Sequence, residues 1–171
     1  MAIDAKSIAF GDLERELAVT RRVLLALPAP QLEWTPHPRS MNLGQLASHV
    51  ADLPNWMNAA LAADELEAAN APRPPAGPPQ KDEILARFDR YAAELRRTIH
   101  GFDMSTWDRD WTMRSGSHVI ASRPRPMVFR VWCASHLVHH RGQLCVYLRQ
   151  LDVPVPTIYF NTADNPGMTF D

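Results

Sequence analysis

Four stretches of the chain repeat their apolar residues at intervals of three, four and seven, the spacing of one buried face of an α-helix. The first of these faces consists of Phe10, Leu13, Leu17, Leu24 and Leu27. Residues typical of helix ends flank the stretches, such as Asn42 before the second and Gly101 after the third. The pattern predicts four helices, over about residues 7–27, 43–63, 82–100 and 126–151.

The predicted fold class is all-α, a four-helix bundle. A chain of 171 residues can bury one core without disulfides or a structural metal, so residues 1–171 are expected to form a single domain. The segment PRPPAGPP favours extended polyproline II, at about 3.1 Å per residue. Residues 64–80 could then span more than the roughly 30 Å of the second helix. This length allows the third helix to run parallel to the second, in an up-down-down-up order.

The connector between the third and fourth predicted helices, residues 102–125, is long for a bundle loop. Its segment WTMRSGSHVI contains short extended runs on either side of Ser115-Gly116. Such a pattern is consistent with a small hairpin, and connectors of this length are often functional.

The composition argues against several classes of function. Eighteen basic and nineteen acidic residues give a formal net charge of −1, without a basic run, so we expect no nucleic-acid partner. The sequence has neither a run of about 18 apolar residues nor a secretory signal pattern, so we expect a cytoplasmic protein without a membrane span. Cys133 and Cys145 fall on one predicted helix, roughly 18 Å apart, and are expected to be reduced thiols.

The predicted fourth helix carries three of the chain's seven histidines within five positions, in the sequence SHLVHHRGQL. With about 100° of rotation per residue, His136 and His140 fall on or beside the apolar face, whereas His139 falls at its margin. Histidines four positions apart place two imidazoles on successive turns, where both can bind one metal ion. His136 and His140 are therefore candidate metal ligands.

A third candidate ligand is His49 on the second predicted helix. Leu46, Leu53 and Trp56 flank it at helical spacing, which indicates that it also faces the interior. Three buried histidines without a metal would be hard to satisfy by hydrogen bonds, and a shared divalent ion removes that cost. Each of them could instead be a hydrogen-bonded core residue. The other histidines are expected on the surface or in loops: His37, His100 and His118.

Aromatic side chains could line a pocket beside the metal, although aromatics at helical spacing usually belong to the core. The five tryptophans are candidates, and we single out Trp56 and Tyr147 as pocket lining. The motifs of a serine nucleophile elbow or a phosphate-binding loop do not occur, and a thiol on the apolar face, such as Cys133, is expected to be inert. No catalytic residue is assigned.

Three blocks of sequence resemble the DinB family, also called DinB/YfiT-like proteins. They are PHPRSMNLGQLASHVADLPNW, HLVHHRGQLCVYLR, and DVPVPTIY followed by AD, and they arrive in the order typical of the family. The chain departs from the family where IYFNTADN replaces a Gly-Pro turn by Phe160-Asn161. That change leaves the shape of the C-terminal tail open.

The resemblance implies an up-down-down-up bundle, commonly a homodimer, with a divalent metal held by His49, His136 and His140. Zinc or nickel is the expected ion. Characterised relatives include transferases and isomerases that use a low-molecular-weight thiol, so the resemblance implies such a thiol as a cosubstrate and a small-molecule substrate. Many family members have no known activity.

Two main hypotheses follow for the function. Three histidines leave a coordination position open, which is typical of a catalytic metal and favours a metal-dependent S-transferase or a related thiol or hydrolytic enzyme. The alternative is a non-enzymatic, metal-stabilised bundle that acts as a stress-associated binding or dimerisation module. A fourth protein ligand that closes the coordination sphere would favour the alternative. Action on DNA, suggested only by the family's name, is disfavoured by the near-neutral charge.

Overall fold

A computed structural model describes residues 4–73 and 78–166. Three parts of the predicted domain lie outside the described residues: 1–3, 167–171, and 74–77 in the middle of the segment predicted to be polyproline II. The helices are α1 (Ala5–Phe10), α2 (Leu13–Leu25), α3 (Leu43–Ala62), α4 (Lys81–Gly101), α5 (Arg125–Met127), a π-helical segment (Val128–Ala134) and α6 (Ser135–Gln150). The strands are β1 (Glu65–Glu67), β2 (Asp110–Ser115) and β3 (His118–Pro124).

The prediction of an all-α fold is wrong, because the three strands form a mixed sheet in the order β1-β2-β3. The expected hairpin at Ser115-Gly116 is present as the β2–β3 turn, but β2 also pairs in parallel with β1. β1 is only three residues long and its partner lies far along the chain, so no periodicity in its own sequence could reveal it. An ion pair between Glu65 and Arg114, at 2.6 Å, joins the two parallel strands.

The first predicted helix is two helices, because the chain breaks between α1 and α2 at Gly11-Asp12. Asp4 caps α1 by accepting a hydrogen bond from the backbone nitrogen of Ser7. A Cβ atom at Gly11 would lie 2.4 Å from the Ser7 carbonyl oxygen, so the close approach at this break requires glycine. The predicted helices over 43–63 and 82–100 correspond to α3 and α4 within one residue at each end.

The last predicted helix, 126–151, is continuous but not regular. It begins as α5, passes through the π-helical segment, and becomes α6 at Ser135, one residue before His136. A π-helix bonds each N–H to the carbonyl five residues earlier, as Ser135 does with Arg130. The irregular part of the helix therefore ends next to His136.

Contacts between helices give their relative directions. Ion pairs show that α2 runs antiparallel to α4 and parallel to the last helix: Glu14–Arg96, Arg21–Asp89, Asp12–Arg130 and Glu16–Arg141. α3 and α4 are parallel, because Gly44 near the start of α3 lies against Pro79, while Asn58 near its end donates to the Tyr91 carbonyl oxygen. The four long helices thus run up, down, down and up.

α3 is the central element of the core, and most of its apolar residues are buried. It begins with a capping box, in which the Asn42 side chain accepts from the Gln45 nitrogen and the Gln45 side chain accepts from the Asn42 nitrogen. Its two sides face α4 and the last helix. None of the helices in the described residues is long and apolar enough to cross a membrane.

Candidate metal centre

The structure brings together the three histidines that the sequence singled out. His49 comes from α3, and His136 and His140 come from successive turns of α6. The Nε2 atom of His136 lies 3.2 Å from that of His49 and 2.7 Å from that of His140. One ring nitrogen of each histidine lies within 4.8 Å of the other two, and all three residues are half-buried. The group could hold a single metal ion.

The hydrogen bonds made by the Nδ1 atoms of His136 and His140 determine which ring nitrogen is free to bind a metal ion. Nδ1 of His136 faces the Trp132 carbonyl oxygen at 3.2 Å, and Nδ1 of His140 faces Oε1 of Gln143 at 2.6 Å. Both oxygens accept hydrogen bonds, so each Nδ1 carries a hydrogen, and in the neutral tautomer such a ring presents its lone pair at Nε2. Partners of this kind orient the histidine ligands of metal sites.

A shared cation would relieve the close approach of the Nε2 atoms of His136 and His140, because two lone pairs 2.7 Å apart repel each other. Burial, together with His140 and His136, lowers the pKa of His49 to about 4, and burial also lowers the pKa of His140. The neutral forms of His49 and His140 are thus favoured at pH 7. Two nitrogens bound to one zinc ion lie roughly 3.3 Å apart. The 3.2 Å between His49 and His136 is close to this spacing, whereas the 2.7 Å between His136 and His140 is shorter. The donor set therefore fits a divalent metal.

Three histidines make up the whole group. Within residues 4–73 and 78–166, no fourth histidine, cysteine or carboxylate joins them. His139 is exposed and only packs its ring against His140, with 4.8 Å between ring centroids. The margin position predicted for His139 is thus confirmed. The histidines predicted to lie on the surface are exposed: His37, His100 and His118.

An apolar pocket of about 240 Å³ lies beside two of the histidines. Trp56, predicted as pocket lining, forms part of its wall. Tyr147 lies elsewhere: its ring packs edge-on against Trp34, and its hydroxyl donates to the Met41 carbonyl oxygen at 3.3 Å. The residues that line the apolar pocket are His49, Leu53, Trp56, Trp111, Met113, Val128, Trp132, Cys133 and His136.

The sheet supplies part of this wall. Trp111 was one of the five candidate tryptophans, but sequence reasoning did not place a strand beside the pocket and missed Met113. Trp111 and Met113 lie two positions apart on β2 and point to the same face of the strand. The Trp111 indole nitrogen donates to the Ala59 carbonyl oxygen at 3.2 Å, which attaches β2 to α3. The alternation of large apolar and polar residues in DWTMRS is the signal that could have revealed them.

A second cavity, the polar cleft, lies between α3 and α4 and has a volume of about 680 Å³. Its residues are Glu33, Met41, Asn42, Gln45, Ser48, His49, Asp52, Pro78, Pro79, Gln80, Glu83, Ile84 and Arg87. Asp52 and Arg87 form a buried ion pair there, with 2.8 Å between Oδ1 and Nε. Sequence reasoning did not single out Asp52, although it follows His49 by three positions and so shares its helix face.

Both cysteines are free, as predicted. Cys133 lines the apolar pocket, and burial raises the pKa of its thiol to about 12. Burial also raises the pKa of Cys145, although Arg141 acts in the opposite direction. Neither thiol is a thiolate at neutral pH, so neither supplies a nucleophile to the centre.

Comparison with known families identifies the superfamily of this chain. A sequence model of the DinB superfamily matches residues 12–144, which include all three histidines. The chain belongs to the DinB superfamily. The resemblance seen in the sequence blocks is thereby confirmed. A search of curated proteins found no match.

Solved structures of DinB proteins share the fold. A crystal structure of a DinB-like protein from Bacillus subtilis aligns with a TM-score of 0.67 at 14% identity, covering 88% of this chain and 96% of that one. A protein assigned to the DinB family from Exiguobacterium sibiricum aligns with a TM-score of 0.63 at 16% identity, covering 92% and 98% of the two chains. At these identities the likeness concerns the fold alone.

Proposed function

We propose that this DinB protein is a divalent-metal-dependent enzyme whose ion is held by His49, His136 and His140. The observation that carries the proposal is the convergence of three imidazoles with no fourth histidine, cysteine or carboxylate in the group among the described residues. Structural zinc sites are usually closed by four protein ligands, whereas catalytic sites keep a position for water or substrate. The apolar pocket beside the open position is where a substrate would lie.

The reaction class that we propose is transfer of a thiol sulfur to a small electrophile, with a low-molecular-weight thiol as cosubstrate. A bound divalent ion would lower the pKa of a thiol or water at the open position. The thiol loses its proton to solvent, its sulfur forms a bond to the electrophilic carbon, and the leaving group departs with the electrons of the broken bond. Zinc or nickel suits the three imidazoles.

The protein's own residues prepare this reaction. The Trp132 carbonyl oxygen and Gln143 hold the rings of His136 and His140 with Nε2 facing the centre. Trp56 and Trp111 exclude water from one side and offer apolar surface to the electrophile. Cys133 stays protonated, so it does not compete with the incoming thiol.

Elemental analysis of protein purified without a histidine tag tests the metal centre. We expect about one divalent ion per chain. Simultaneous replacement of His49, His136 and His140 by alanine should abolish metal binding, whereas His139→Ala should retain it, because His139 is exposed and outside the group. Full metal content in the triple variant would rule out the proposed ligands.

Consumption of thiol in the presence of a generic alkyl or aryl electrophile tests the reaction. We expect a rate that disappears on chelation and returns when the ion is restored. A bound metal without any metal-dependent rate, across several thiols, would favour the alternative of a metal-stabilised binding or dimerisation module. The homodimer and the cytoplasmic location stay predictions, and light scattering of the purified protein tests the first.

A further inference from the structure

His49 belongs to the walls of two cavities that differ in chemistry. On one side is the apolar pocket, whose wall consists mainly of tryptophan, leucine, methionine and valine side chains. On the other side is the polar cleft, which contains amide, hydroxyl and carboxylate groups from α3 and α4. The metal centre therefore lies where an apolar cavity and a polar cavity meet.

The volumes of the two cavities point to different occupants. Small-molecule sites typically measure about 300–1,000 Å³. The polar cleft, at about 680 Å³, falls in this range, whereas the apolar pocket, at about 240 Å³, is large enough only for a fragment. A complete second substrate would thus have most of its atoms in the polar cleft.

The charges that line the polar cleft are unbalanced. The buried part of the cleft has no net charge, because Asp52 and Arg87 neutralise each other. Their side chains are only 6% and 10% exposed. Arg87 is also held by donating from Nη2 to the Ser48 carbonyl oxygen at 3.3 Å. The other two charged residues of the lining are Glu33 and Glu83, both exposed at the rim. With three acidic residues and one basic residue, the lining carries a formal charge of −2.

We propose that the polar cleft is a second substrate site, which takes a polar ligand bearing a protonated amine and directs its reacting group to the open position beside His49. The partner molecule then occupies the apolar pocket on the opposite side of His49. Negative potential from Glu33 and Glu83 attracts a cation and repels an anionic ligand of the same size. The identity of the reacting group, a thiol, rests on the proposed function. The preference of the polar cleft for an amine does not.

Three thiols of matched size but different charge test the assignment: cysteamine, 2-mercaptoethanol and mercaptoacetate. Each is titrated into protein loaded with Co²⁺, where sulfur-to-metal charge-transfer absorption reports binding without turnover. We expect the dissociation constants to rise in that order at low ionic strength. Added salt should weaken the preference, because Glu33 and Glu83 are exposed.

For each protein we divide the dissociation constant of mercaptoacetate by that of cysteamine. Comparing this ratio between the unmodified protein and a Glu33→Gln/Glu83→Gln variant cancels the intrinsic differences between the two thiols. We expect the ratio to be about tenfold larger in the unmodified protein. A Glu14→Gln/Glu65→Gln variant removes the same charge outside both cavities and should keep the ratio. An equal ratio with and without Glu33 and Glu83 would overturn the assignment.

A second measurement separates failure of this assignment from failure of the thiol reaction. Ethanolamine and glycolate are added to metal-free protein, and the ¹H–¹⁵N resonances of Gln45, Ser48 and Gln80 are followed. We expect ethanolamine to shift these resonances and glycolate to leave them unchanged. If ethanolamine shifts the resonances but no thiol gives a charge-transfer band with the Co²⁺ protein, the amine site is retained and the thiol reaction is refuted. Absence of shifts with ethanolamine would refute the amine site, even if thiols bind the metal.

Discussion

The apolar pocket and the polar cleft share His49, yet they are assembled from different kinds of contact. The polar cleft lies between the first halves of two parallel helices, α3 and α4. The apolar pocket needs β2 and the π-helical segment, which come from the long connector and the start of the last helix. The three-histidine group thus borders a cavity made by helix pairing and a cavity made in part by a sheet. Changes on one side should leave the other side intact.

The largest effect is expected on the polar side, from Arg87→Ala. Loss of Arg87 leaves Asp52 buried without its partner, so the free energy of unfolding should fall by about 3–5 kcal/mol. Urea denaturation measures this change. An Arg87→Ala/Asp52→Ala variant should recover part of the loss, because it removes the orphaned charge. If the double variant were less stable than the single one, Asp52 would have partners other than Arg87.

On the apolar side, Trp111→Ala should lower the free energy of unfolding by about 3 kcal/mol, since Trp111 is 2% exposed. The value should lie at the low end for a buried tryptophan because the ring already borders a cavity. Trp132→Ala is the matched control, with a side chain at the pocket mouth that is 36% exposed. We expect it to cost less than half as much in the same assay. Equal losses would mean that β2 does not hold the wall.

Gly44→Ala tests the contact between the start of α3 and Pro79, a residue that lines the polar cleft. A Cβ atom there would lie 3.0 Å from Cγ of Pro79 and 3.2 Å from Leu32, so we expect a loss of about 1–3 kcal/mol in unfolding free energy. In Gly142→Ala the new Cβ meets no atom within 4 Å, so the change should stabilise α6 by up to about 1 kcal/mol. Thermal denaturation of both variants shows whether each substitution raises or lowers the melting temperature. A stabilising Gly44→Ala would show that the contact with Pro79 is loose.

At the shared residue, His49, the expected effect is a pH dependence of stability. The pKa of His49 falls from 6.5 to about 4 on folding, mainly through burial. The unfolded chain therefore binds a proton between these values and the folded chain does not, so metal-free protein should lose stability as the pH falls from 6.5 towards 4. Urea midpoints at several pH values, compared with His49→Ala, measure this contribution. An identical pH profile in the variant would contradict it.

Much of the fold and of the metal centre follows from local patterns. The i, i+4 spacing of His136 and His140 and their place on the helix wheel predicted the direction of both side chains, and His49 was found by the same reasoning on α3. The parts that could not be predicted are those without a local period. β1 is too short to show one, and the break at Gly11-Asp12 depends on a close backbone contact with Ser7.

The amino-acid pattern alone predicted four helical stretches and three inward histidines, because helix phase and ligand spacing are properties of neighbouring residues. The DinB family came from the resemblance of three sequence blocks. Only the tertiary structure shows that Nε2 atoms from two distant helices meet, that β2 contributes Trp111 to the pocket, and that Asp52 finds Arg87. These contacts join residues far apart in the chain. The packing of the helices and the sheet determines which of these residues meet, and no single stretch of sequence encodes that packing.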